Sequence, residues 1–489
     1  MLNNQFLDLD TKSIKMTPVY PKIKLLAFAI FLFVVSLFMQ ACLKENDDLI
    51  LTPGGRVALP SELSGGQSTI FSSTSKAYDT PANWVTGDLL DLFLKGDALY
   101  DNPRVSGENT TSGGLGPVYA GYSCSSCHND AGRTRSTLFT SGGSGPYGFS
   151  SFLTFIRTTN DQNFRQYGRV LHDQSIYGSK PEGKLRVTYT EKEYSFPDGE
   201  KYSLITPHYE IYNWYADSIP MNQIEMSVRV PLRHVGMGLM MALDQTEILR
   251  LATIQYPEYG ISGKVNWVTE RNKKYLGLSG HKAQHADLTV ELGFSSDLGV
   301  TNDRFPHEVA EGQEQVNDDY GIQITTKEMA AVDFYLHALG VPARRAVSNS
   351  AVQTGEELFN HAKCNLCHTP TLHTKAGGVQ LIDGTNVPWL GSQVIHPYSD
   401  YLLHDMGPEL GDDYSQFLAT GDEWRTTPLW GVGLQEVVNG HSNFLHDGRA
   451  RNFVEAIMWH GGEGDISRKK FSQMTKEERE TLIMFLRSL

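Results

Sequence analysis

The chain has 489 residues, room for two or three domains with sizeable cores. Its 40% hydrophobic and 20% charged content excludes disorder as the main state, and a formal charge of −14 argues against nucleic acid as a partner. A basic redox protein would be steered toward such a surface, although solubility explains the same charge equally well.

Lys22 and Lys24 precede an apolar run from Leu25 to Met39, and Gln40-Ala41-Cys42 follows. Basic, then apolar, then small is the order of an export signal, and the run is short for a membrane span. The segment resembles a lipobox with Met39 where leucine is usual, so Cys42 is the expected acylated residue and the protein an exported periplasmic or cell-envelope lipoprotein. A plain secretory signal is the alternative, and Met16 is an alternative start. Losing residues 1–41, with four lysines and two aspartates, leaves a charge of −16. Residues 42–80 read as a Ser/Gly/Thr-rich tether.

The pattern Leu89-Leu90-x-Leu92-Phe93-Leu94 predicts a helix over 84–100. A Gly/Ser/Thr-rich loop, 106–114, then leads to Cys124-Ser-Ser-Cys127-His128. Its echo is Cys364-Asn-Leu-Cys367-His368. Cys-x-x-Cys-His lets two thiols reach the vinyl groups of one haem while the adjoining imidazole reaches its iron. Only five cysteines are present, so these pairs leave no thiols for a disulfide framework. Rival readings are a four-thiolate zinc cage and a pair of redox dithiols. Against the cage, the pairs lie 240 residues apart and a histidine follows each. Against the dithiols, neither flank has a strand-to-helix βαβ context.

Helical patches are expected around Phe152–Phe155 and Phe164–Val170. Between Lys184 and Tyr212 the period becomes two, and Asp198-Gly199 between alternating runs predicts a β-hairpin. Pro231-x-x-x-x-Gly236-x-Gly238-Leu239, with a helix over 240–251 behind it, has a later counterpart in Pro428-x-x-Gly431-x-Gly433-Leu434, suggesting a repeated unit. The segments beginning Thr325-Thr-Lys-Glu328 and Thr475-Lys-Glu-Glu478 superpose at an offset of 150 residues. Each opens with a capping box and continues at helical spacing. Gly340-Val-Pro342 stops the first of these helices. The expected fold is mainly α: two cytochrome c-like helical domains, 81–345 and 346–489, the first enlarged by a small β-hairpin insertion and long loops. His128 and His368 are the proximal ligands. Distal candidates in the second domain are His404, Met406, His441, His446 and His460.

Leu445-His446-Asp447-Gly448-Arg449-Ala450, with Val454-Glu455-Ala456-Ile457 and His460-Gly461, resembles the signature of the bacterial di-haem cytochrome c peroxidase superfamily. The chain is most similar to its di-haem oxidoreductase branch, also labelled peroxidase or thiol oxidoreductase. Gly114-Leu-Gly-Pro117, Val341-Pro-Ala-Arg344, Cys367-His-Thr-Pro370, Tyr401 to Gly407 and Thr427 to Gly433 agree, so the likeness spans roughly 80–489. It implies two covalent c-type haems and His368/His460 ligation of the second, with Met406 the alternative. It also implies Asp297 as distal acid-base at the first, a structural cap being the other reading. The implied activity is peroxide reduction at haem 1, with electrons relayed through haem 2 from a cytochrome c or cupredoxin-like donor. Superfamily peroxidases also hold a calcium ion between domains through backbone oxygens, on which no side-chain pattern here bears. Where relatives read G-R-F-G-W-K-A, this chain has Gly277-Leu-Ser-Gly280-His281-Lys-Ala283. Without the bridging indole, His281 or another aromatic takes its position, or transfer proceeds unaided; His281 is also a candidate to ligate or shield the first iron. Two further readings remain: an envelope electron-transfer cytochrome with His234, His281 or Met237 closing the first iron, and a high-valent haem oxidase of an organic or protein substrate. Thiol chemistry has little support, since haem consumes both pairs.

Overall fold

The computed structural model describes residues 50–107, 112–135, 152–158, 169–216, 218–270, 272–307, 315 and 321–489. The export segment and Cys42 lie outside the described residues, as does most of the patch at Phe164–Val170. Leu59–Leu489 forms one compact unit. Among the described residues no helix is long and apolar enough to cross a membrane.

Two helix pairs frame the unit. In the N-terminal half, α1 (Asp88–Asp101) packs against the helix Thr326–Ala338. In the C-terminal half, Ser350–His361 packs against Lys476–Ser488. Both second members begin with the expected capping boxes, in which the Thr325 and Thr475 hydroxyls accept from the N–H groups of Glu328 and Glu478. The two pairs meet in the same way. A β-carbon on Gly96 would fall 2.1 Å from Ala331 O, and one on Gly355 would fall 2.2 Å from Thr481 O. Ala331 and Thr481 are related by the 150-residue offset read from the sequence. The repeated glycine element follows suit: Gly238 abuts His337 O and Gly433 abuts Arg487 O, again equivalent positions.

The expectation of a mainly α, cytochrome c-like architecture is nevertheless overturned. The structure is 30% helix and 21% strand, with the strand spread over many small sheets. Much of the strand is the hairpin of β1 (Lys184–Ser195) and β2 (Lys201–Tyr212), paired from Lys184↔Tyr212 to Ser195↔Lys201 around the expected Asp-Gly turn. The patch at Phe152–Phe155, expected to be helical, is instead strand Leu153–Thr158, paired antiparallel with Ile224–Arg229. Its burial alternates residue by residue, the period of two that a half-covered strand requires. The helix expected over 240–251 is broken in two, Met237–Met241 and Gln245–Leu251, because the Asp244 carboxylate accepts from Thr246 N and starts a new helix.

The hairpin reaches well beyond its own neighbourhood. Near its turn Phe196 packs on Phe471, and Arg479, almost wholly buried, lies 3.9 Å from the Phe196 ring and binds Asp198 and Glu200. Phe196 and Leu204 thereby join the core built from Phe359, Phe471, Phe485 and Leu486. A segment of the N-terminal half thus helps close the C-terminal core.

Candidate active site

Each Cys-x-x-Cys-His unit follows a defined local turn. Ser123 caps the turn Cys124–Cys127 through Ser126 N at 3.0 Å, and Lys363 takes a left-handed conformation before Cys364–Leu366. All four cysteines carry free thiols. Burial pushes Cys124, Cys127 and Cys364 up to about 12 and also raises Cys367, so none is poised as a thiolate for zinc or disulfide exchange.

The following histidines share one device. His128 Nδ1 lies 2.8 Å from Leu232 O, and His368 Nδ1 lies 2.9 Å from Tyr398 O. A carbonyl only accepts, so Nδ1 carries the proton and the Nε2 lone pair is left for iron. Burial lowers both imidazoles to about 4, keeping them neutral. His460 repeats the arrangement, with Nδ1 2.7 Å from Ala456 O, and it lies close enough to His368 to influence its titration.

The other candidates in the C-terminal half are committed elsewhere. His404 is held by Asp400 at 2.9 Å and Glu463 at 2.6 Å and lies 3.6 Å from Cys367 Sγ; Asp400 above all raises it well above its usual value despite burial. His441 donates through Nε2 to Arg133 O and accepts at Nδ1 from Asn443 N. His446 stacks on Trp424, ring centroids 3.8 Å apart. Met406 remains beside His460: a β-carbon on Gly464 would fall 2.9 Å from His460 Cβ and 3.2 Å from Met406 Cε.

In the N-terminal half a cavity of about 960 Å³ is lined by Cys124, Cys127, His128, Arg229, His285 and Asp297, a size in the usual ligand-pocket range of roughly 300–1,000 Å³. Asp297 lies in the last turn of the helix Val290–Leu298; Ser296 Oγ donates to its Oδ1 at 2.6 Å, and burial raises its carboxyl. It lies near enough to Cys124 and Cys127 to influence both thiols. His234 stacks face to face on His128, centroids 3.9 Å apart, with Tyr100 Oη 3.0 Å from its Nδ1, so it stands beside the proximal imidazole rather than across from it.

His281 directs Nε2 to Val230 O at 2.9 Å and meets Trp424 edge-on. An indole, that of Trp424 on strand Glu423–Arg425, thus lies beside His281. The sequence reading missed His285. Its half-buried imidazole lines the cavity, is lowered to about 4 by loss of solvation and then Arg229, and makes no hydrogen bond with a described residue.

These residues fit a haem. They offer paired protonated thiols, imidazoles presenting Nε2, and a cavity wall where the Arg229 Nη atoms are buried without a partner among the described residues. A family model described as "Di-haem oxidoreductase, putative peroxidase" matches residues 59–141 and 160–489. No curated protein and no solved structure matches.

Proposed function

The chain belongs to the di-haem oxidoreductase family, and from that premise we propose that it is an exported di-haem c-type peroxidase. Peroxide is reduced at the first-half site, with electrons relayed through the second from a small donor protein. The observation that carries this reading is an asymmetry: a cavity beside His128, against a histidine pair, His368 and His460, at the second site. When bound, the haems supply an iron that takes peroxide and an iron that passes electrons.

Reducing one hydrogen peroxide to two waters consumes two electrons and two protons. Asp297, its carboxyl raised by burial, takes a proton from peroxide and returns it to the departing oxygen. Such acid-base help is worth about 10²–10⁴ in rate. His285 is a second group at the cavity able to hold a proton. His368 and His460 would hold the second iron, with Met406 the substitute ligand. Cys124, Cys127, Cys364 and Cys367 attach the two haems. Export and acylation at Cys42 tether the protein to the envelope, where haem attachment takes place.

Electron paramagnetic resonance and stopped-flow mixing of the half-reduced protein with peroxide test the reading. A high-spin signal that disappears on mixing, with two electrons consumed per peroxide, supports it. Two low-spin irons in every redox state without peroxide turnover would instead assign an electron-transfer cytochrome.

A further inference from the structure

The strand Ile224–Arg229 ends in a residue whose surroundings do not balance its charge. Arg229 is 2% exposed, and its guanidinium lies between the rings of Phe155, at 4.6 Å, and Trp424, at 5.5 Å. Nε donates to Ser227 Oγ at 2.7 Å, and that hydroxyl donates to Asp412 Oδ2. The other carboxylate oxygen of Asp412 is 3.0 Å from the ammonium of Lys282, also fully buried. Lys282 completes its donor set with Thr420 O at 2.6 Å and Gly421 O at 2.8 Å. Two buried cations thus share one carboxylate.

Both Nη atoms of Arg229 are buried without a partner among the described residues, and Arg229 lines the first-half cavity. An unpaired buried charge is strongly unfavourable, and its forked donors match a carboxylate two to two. The cavity also holds Arg133, whose Nε is likewise buried without a partner.

We infer that Arg229 is the receptor for a carboxylate bound in the first-half cavity, supplying the negative charge that the Arg229–Asp412–Lys282 cluster lacks. The carboxylate is a propionate of the first haem or a carboxylate of an organic substrate. The inference rests on that cavity holding a haem, and counting covalent haems separates the two failures: fewer than two per chain refutes the haem reading before Arg229 is tested.

The holoproteins compared are wild type, Arg229→Gln and Arg229→Lys, the last retaining the charge while losing the fork. Each is titrated spectroelectrochemically from pH 5 to 8, then with benzoate. If a propionate is bound, Arg229→Gln with two haems lowers one midpoint potential tenfold in equilibrium constant, about 59 mV for one electron, with no ligand added. A pH slope absent from wild type also appears, and Arg229→Lys falls between. If an external carboxylate is bound, no new pH slope appears, and saturable benzoate perturbation of one haem weakens at least tenfold in Arg229→Gln. Two haems with unchanged potentials, unchanged pH slope and no difference in benzoate response would overturn the inference.

Discussion

Glu182→Gln tests how the wall behind the first-half cavity is charged. His172 and Glu182 are both fully buried, with Nδ1 3.0 Å from Glu182 Oε2. His172 Nε2 donates to Ser296 O at 2.7 Å, one residue before Asp297. Burial alone would lower His172, but the Glu182 carboxylate, Ser296 O and Asp297 outweigh it and raise the imidazole from 6.5 to about 9. At about 1.36 kcal/mol per pH unit, the charged ring contributes about 3 kcal/mol of stability. Because the folded value is the higher one, this stability is complete below about pH 6.5 and is lost as pH rises through 9. Without the Glu182 charge, burial dominates and His172 is neutral at pH 7. The variant should therefore be about 3 kcal/mol less stable at pH 6, with the gap closing by pH 9, in urea unfolding followed by circular dichroism. Activity should report the same change, since the imidazolium holds the Asp297 carboxyl down. The acid limb of kcat/KM for peroxide should move to higher pH. A variant with the wild-type pH dependence of stability and an unmoved acid limb would refute the coupling.

Three further predictions follow from the packing. His460→Ala should replace one low-spin ferric signal with a high-spin one while Met406→Ala leaves it; the opposite pattern would make Met406 the ligand. Serine at Cys124 and Cys127, or at Cys364 and Cys367, should leave one covalent haem per chain by pyridine haemochrome assay, and two retained haems would refute attachment there. Gly355→Ala and Gly96→Ala force a methyl to 2.2 and 2.1 Å from a facing carbonyl oxygen. Overpacking at the upper end of about 1–3 kcal/mol, as so close an approach to backbone implies, offset by about 1 kcal/mol of helix propensity, gives a net loss of about 2 kcal/mol in thermal unfolding. An unchanged Tm would show that the helices separate without cost.

The sequence was legible where chemistry is local. The capping boxes at Thr325 and Thr475 and the turn at Asp198-Gly199 need only neighbours a few residues away, and each formed as read. The offset of 150 was legible because both helices keep the same Thr-x-x-Glu capping box followed by apolar residues at helical spacing. The mainly α expectation failed because a short apolar run such as Phe152–Phe155 fits either period until a partner strand is known, and that partner lies some 70 residues onward at Ile224–Arg229. Arg229, His285 and Trp424 carried no local signal. What distinguishes them is a missing partner or a stacked ring, which exists only once distant segments meet.

The asymmetry between the sites follows from what holds each imidazole. A resting iron ligand must have its ring fixed, and His128, His368 and His460 are each fixed by a carbonyl on Nδ1. His460 gains its carbonyl from Ala456, one helical turn earlier, because it follows directly on the helix Phe453–Met458. The first-half cavity has no equivalent among its other histidines: His234 is spent on Tyr100 and stacked against His128, and His281 directs Nε2 to the backbone. His285 is left, with no described hydrogen bond to fix its ring. An imidazole free to turn in a lined cavity makes a poor permanent ligand but can meet a small molecule there. His285→Ala should therefore slow peroxide reduction while leaving the resting high-spin signal in place; a low-spin signal lost from wild type on this substitution would instead make His285 the sixth ligand.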